Sequence, residues 1–208
     1  MSKAGADGLR AAALRVIARE GVARTTVRAI AAEAGVTEPA LYRHFPSKPA
    51  LFADLFRDCA RKLYDYLQKA IQSAAGPEQE VAALAAGLFD FAREYPEEYA
   101  LILAAHQQQL KDLDTDVHPL PKDLFVRAVR RLQEQEAESL GCTGGRLPAE
   151  LAAATIIGAT MGVVLLWRLG HVPASGEACR EHVMRTALCA ARAACGSATL
   201  PDAPASTD

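Results

Sequence analysis

The chain has 208 residues, half of them hydrophobic, which is enough for a sizeable core in one large domain or in a small and a medium one. The formal net charge of -2 hides an asymmetry: residues 1–63 carry a balance of +5 and the remainder -7, so only the head is expected to meet a polyanion. Five cysteines (Cys59, Cys142, Cys179, Cys189, Cys195) are odd in number and lack C-x-x-C spacing. With no signal peptide they read as reduced cytosolic thiols by default, in preference to a disulfide framework or a cysteine metal site.

Alanine is abundant and β-branched runs are few, which favours helix. Leu9–Glu20 shows a helical stripe of Leu9, Ala13, Leu14, Ile17 and Ala18, and Gly21 stops it. Thr26 is the expected N-cap of a second helix, Val27–Ala34, with Val27, Ile30 and Ala31 inward. Gly35 makes the turn, Thr37 caps a third helix and Pro39 sits in its first turn. Phe45-Pro46 ends that helix, and Ser47 caps a long fourth one reaching about Ser73. Gly76-Pro77 breaks the chain. Further helices are expected over Glu80–Glu94, Pro96–Leu110, Lys122–Leu140, Ala149–Leu169 and Glu177–Cys195, with a disordered tail at 197–208. No strand pattern and no repeat appear, so the fold class is all-α with about nine helices.

The second and third helices and their glycine turn form a helix-turn-helix arrangement, whose second helix enters the major groove. Ala40, Leu41 and Phe45 face the preceding helices, whereas Glu38 with Tyr42 and Pro39 with Arg43 share the outer faces. Arg43 can meet a phosphate or a guanine edge, and Arg28 is a second candidate base reader. Glu38 can accept from cytosine N4 or simply favour the helix N-terminus. Tyr42 and His44 reach phosphates. Lys48 opposes the dipole of the fourth helix, which makes sense if a phosphate docks there on Lys48 and the free N–H groups of that helix. Arg10, Arg15 and Arg19 read as a solvated face with steering value.

Two alternatives need separate treatment. Leu151–Trp167 is uncharged and near the lower limit for a membrane span, but Glu150 and Arg168 bound it without a basic cluster or aromatic belt. It reads as a helix buried in a protein core or an interface, with no membrane partner. There is no phosphate-cradling glycine loop, no H-E-x-x-H and no G-x-S-x-G, so no catalytic residue, cofactor or metal is expected. The acids Asp112, Asp114 and Asp116 lack the glycine and terminal glutamate of a calcium loop.

Thr25–Leu51 resembles the DNA-binding domain of the TetR (tetracycline-repressor-like) family, through Gly21, Thr26, Ile30, Ala31, Ala34, Gly35, Val36, Leu41, Tyr42, His44, Phe45, Lys48 and Leu51. The resemblance covers roughly residues 8–55; Phe89–Ala92 and Tyr95–Tyr99 resemble a C-terminal subgroup more weakly. It implies a DNA-binding domain at 1–52 and an effector-binding, dimerising domain at 53–196 of a cytosolic homodimeric regulator, a repressor released from a palindromic operator. DNA contacts would fall on Thr26, Arg28, Thr37, Glu38, Pro39, Tyr42, Arg43, His44 and Lys48. Glu38 and Arg43 occupy variable positions, so the operator is not readable from them. A small hydrophobic effector would meet Phe89, Leu103, His106, Phe125, Met161 and Trp167. The dimer would form on the last two helices, through the Gly158-x-x-x-Gly162 spacing with Leu165 and through Val183, Ala187 and Ala191, an intrachain contact being the alternative for the glycines. The rival function is a helical carrier of hydrophobic molecules whose basic head steers it to anionic surfaces.

Overall fold

The computed structural model describes residues 5–107, 119–140 and 147–192. Among these residues the chain forms nine helices and no strand: α1 (Ala6–Glu20), α2 (Val27–Glu33), α3 (Glu38–Tyr42), α4 (Lys48–Ala70), α5 (Pro77–Glu94), α6 (Pro96–Gln107), α7 (Pro121–Leu140), α8 (Ala149–Arg168) and α9 (Gly176–Arg192). The expected tail at 197–208, the acids at 112–116, Cys142 and Cys195 lie outside the described residues.

Local chemistry fixes the first three helices. Gly21 takes φ 80°, a left-handed conformation that costs a glycine little, and its N–H donates to Ile17 O at 2.8 Å. Thr25, fully buried, donates its hydroxyl to Gly21 O at 2.8 Å and closes that loop. The hydroxyls of Thr26, Thr37 and Ser47 accept from the N–H groups of Ala29, Ala40 and Ala50 at 3.1, 3.4 and 3.2 Å. Each such cap stabilises its helix by about 1 kcal/mol. Gly35, at φ 67°, makes the turn between α2 and α3.

Two buried clusters organise the rest. The first joins Leu9, Val16 and Ile17 of α1 to Ile30, Leu41, Phe45, Leu51, Phe52, Leu55 and Cys59, and it includes Leu101 from α6. The second holds Leu63 and Leu67 with the apolar faces of α5, α7, α8 and α9. Helix α4 therefore serves both cores, and Leu101 carries α6 down into the head. That contact corrects the expected stripe of α1. Because α6 packs on it, α1 buries Ala12 and Val16 fully, while Leu14 is half-buried and Ala18 exposed. Burial also pushes the Cys59 thiol up to about 12, which keeps it inert at neutral pH.

The helix buried on almost every side is α5, which packs against α4, α6, α7, α8 and α9. Its small residues allow this: a Cβ at Gly87 would lie 3.0 Å from Leu67 Cδ2 and 3.3 Å from Ala70 Cβ of α4. Gly87→Leu is expected to force α4 and α5 apart at a cost of about 1–3 kcal/mol, lowering Tm by several degrees in a thermal melt. An unchanged Tm would mean that α4 yields freely at this point.

Candidate nucleic-acid interface and effector cavity

The structure places the nine sequence-derived DNA-contact residues at the starts of α2 and α4 and along α3. Leu41 and Phe45 point inward and are 0% and 5% exposed, whereas Tyr42, on the opposite side of the short helix, is 45% exposed. Thr26, Arg28, Thr37, Glu38, Pro39, Arg43 and His44 are exposed, and Lys48 is half-buried with its ammonium 5.4 Å from the Phe52 ring centroid. Ala40 is half-buried.

Ion pairing sorts the basic residues of the head into two groups. Arg10 meets Asp54 at 2.7 Å, Asp58 at 3.1 Å and Asp7 at 2.8 Å. Glu33 receives Arg15 at 2.8 Å and Arg19 at 3.3 Å; hydrogen bonds from Arg15 and then Arg19 hold its carboxyl below the ordinary value. The three arginines expected to be a solvated face are thus neutralised locally. Arg28, Arg43 and Lys48 make no ion pair among the described residues, and with only the exposed Glu38 to offset them a net positive charge remains on the α2–α3 side.

One expectation at Lys48 needs correction. The first turn of α4 does not offer a row of free donors. Pro49 has no N–H, Ala50 N–H is taken by Ser47 Oγ, and Leu51 N–H bonds Ser47 O at 3.1 Å. What remains for an anion is the ammonium and backbone N–H of Lys48 itself.

In the body a cavity of about 630 Å³ opens between α4, α5, α6, α7 and α8. Of the six expected effector residues it is lined by Phe125 and Met161. Phe89, Leu103 and Trp167 do not line it: Phe89 is fully buried with its ring 5.4 Å from that of Trp167, and Leu103 is half-buried beside the lining residues Ile102 and Ala105. Trp167 instead closes the α8–α9 corner, where a Cβ at Gly176 would lie 3.1 Å from its ring. His106 belongs to α6, and its side chain lies outside the described residues. Sequence reasoning missed the wall supplied by α4: Phe56, Ala60 and Leu63 line the cavity. They lie four and three residues apart, on one helix face, and that spacing was a usable signal.

The expected dimer residues divide between two faces. Gly158 and Gly162 are exposed, and an added Cβ at either would meet nothing within 4 Å, so they do not serve an intrachain close approach. Leu165 is half-buried, and on this face α8 exposes Leu151 and Leu166 at 51% and 46%, with Leu169 just past its end at 60%. Val183, Ala187 and Ala191 are the correction: at 2%, 1% and 1% exposure they pack into the chain's own core, because α9 lies on α5 and α8. Helix α9 turns Glu181, His182, Arg185 and Cys189 outward instead.

Residues 9–55 match the bacterial regulatory proteins, tetR family. The head therefore carries a tetR-family DNA-binding segment. Among its curated relatives, the nucleoid occlusion factor SlmA of Mannheimia succiniciproducens is 35% identical over 77 residues, which are 37% of this chain and 36% of that protein. The HTH-type transcriptional regulator BetI of Brucella suis is 34% identical over 120 residues, 54% of this chain and 61% of that one. The match therefore spans roughly a third to three fifths of the length of these curated relatives. In fold it is similar to the crystal structure of the transcriptional regulator FadR from Bacillus subtilis in complex with stearoyl-CoA. The TM-score is 0.67 at 19% identity, over 88% of this chain and 98% of that one.

Proposed function

We propose that this chain is a sequence-specific DNA-binding transcriptional regulator, a cytoplasmic homodimer that represses from a palindromic operator and is released by a small apolar effector. The observation that carries the reading is the outward set on α3 and its flanks. Tyr42 and Arg43 are exposed at the end of α3 and Lys48 is half-buried at the start of α4, neither base ion-paired among the described residues, while Leu41 and Phe45 anchor the segment in the head. Residues 1–52 form the DNA-binding part in this reading, and residues 53–196 hold the effector and the dimer contact.

Contacts between the two cores support a coupling route. The cavity touches α4 at Phe56, Ala60 and Leu63, and α4 begins at Lys48. Ile102 lines the cavity and packs against both cores, next to Leu101 in the head. An effector that fits one position of α4 and α6 better than another shifts the two heads relative to each other. Couplings of this kind are about 1–3 kcal/mol.

Selecting bound sequences from a random DNA pool tests the function. A palindromic consensus is the expected result. Salt-sensitive binding without a consensus would favour the carrier reading, in which the head only steers the protein to anionic surfaces.

The exposed face of α8 supports the dimer. Gly158→Leu and Gly162→Leu are expected to shift the protein from dimer to monomer in sedimentation velocity, because both glycines sit between exposed leucines with nothing of their own chain above them. A normal dimer in both variants would move the interface off this face.

A further inference from the structure

Helix α6 is wedged between the two cores. Leu101 is fully buried in the head cluster, and Tyr99, two residues earlier and therefore on the opposite side of the helix, is 2% exposed in the body cluster. Any shift of α6 changes both contacts together. The Tyr99 contact is incomplete. Its hydroxyl is buried and has no hydrogen-bond partner among the described residues, a cost that native cores seldom carry. Burial pushes the phenol pKa up against the opposing charge of Arg168, so it stays a neutral donor. Side chains on a helix lean toward its N-terminus, which turns the phenol toward the α5–α6 corner. An under-used acceptor lies at that corner. Pro96 has no N–H to give Ala92 O, four residues before it at the end of α5. Arg168 Nη1, from the end of α8, reaches Ala92 O at 3.4 Å and Pro96 O at 3.5 Å, both beyond the usual hydrogen-bond range.

Resting on the reading that α6 helps to carry the effector's state to the heads, we propose that Tyr99 is a positioning residue for α6. Its unpaired hydroxyl disfavours the position described, and a second position, in which that hydroxyl donates to Ala92 O in place of Arg168, lies close in free energy. The wedge makes the two positions differ at Leu101, and hence in the seat of α1. Neither Tyr99 nor Arg168 lines the cavity or belongs to the DNA-contact set, so any effect of either on DNA passes through the fold.

The test is Tyr99→Phe in the full chain, which removes the hydroxyl and keeps the ring. With an unpaired donor gone from the core, Tm is expected to rise by about 2 °C or more. The described position is then favoured, so hydrogen exchange should slow in α6 and α1 rather than throughout. Affinity for a selected operator should change about three- to tenfold, the worth of one hydrogen bond, and the sign shows which position binds DNA. Arg168→Met, which leaves Ala92 O to Tyr99, is expected to move exchange and affinity in the opposite sense, and less so in the Tyr99→Phe background. A lowered Tm in Tyr99→Phe, unchanged exchange in α1 and α6, an unchanged affinity for a selected operator, or the same sign in both variants overturns the proposal. Should no operator be selected, the DNA-binding reading fails by itself, and the melt and the exchange still decide on Tyr99.

Discussion

Replacing Tyr42 and Lys48 together by alanine is expected to lower affinity for a selected operator by at least about thirtyfold, with the dimer and its helicity unchanged. The magnitude follows from losing two polar phosphate contacts per half-site, at about 1–3 kcal/mol for each site with a charged partner, in an assembly that uses the site twice. Both removals are expected to leave the head intact: Tyr42 is 45% exposed, and the Lys48 ammonium lies over the Phe52 ring at 5.4 Å from its centroid. Lys48→Ala alone should also flatten the dependence of log affinity on log salt by about one unit per half-site. Arg43→Ala should differ in kind, altering which sequences are preferred if its guanidinium reads a base edge. Unchanged affinity in the Tyr42/Lys48 double variant, read by fluorescence anisotropy, would remove both from the interface.

The largest stability effect is expected at Leu101, and it should appear in the wrong half of the sequence. Leu101 lies on α6, far along the chain from the head, yet it is fully buried in the cluster with Leu9, Ile30 and Leu41. Leu101→Ala removes a packed side chain from the seam between α1 and α6 and should cost about 2–5 kcal/mol, depending on how far the site collapses. Urea unfolding reads the loss. Hydrogen exchange locates it: faster exchange is expected in α1 as well as α6, because the void left by the shortened side chain faces both. Exchange that quickens in α5–α9 while α1 stays protected would show that the head does not lean on α6.

The head was legible in the sequence because its boundaries are set by local chemistry. Thr26, Thr37 and Ser47 cap helices wherever they precede a helical stripe, and Gly21 and Gly35 supply the left-handed turns without help from distant residues. The failures share the opposite cause. The stripe of α1 was misplaced because α6 returns to cover it, a contact between segments some ninety residues apart in a chain with no local sign of it. Val183, Ala187 and Ala191 are apolar because they face α5 and α8, and the sequence of α9 does not distinguish an inner partner from a second subunit. Helix α8 is apolar on both sides, one packed inward through Ile156, Met161 and Val164 and one exposed through Leu151 and Leu166. Composition alone therefore also fits a membrane span. Cavity walls are harder still, since Phe89 in solid core and Phe125 at the cavity are the same residue type, and only packing tells them apart.

Sequence-specific binding as proposed requires α3 to enter the major groove twice per dimer. Dimethyl sulfate protection on the selected operator reads that groove directly through guanine N7. Two protected clusters are predicted, separated by about 10–10.5 base pairs or a multiple. A single cluster, or protection confined to the minor groove, would contradict it.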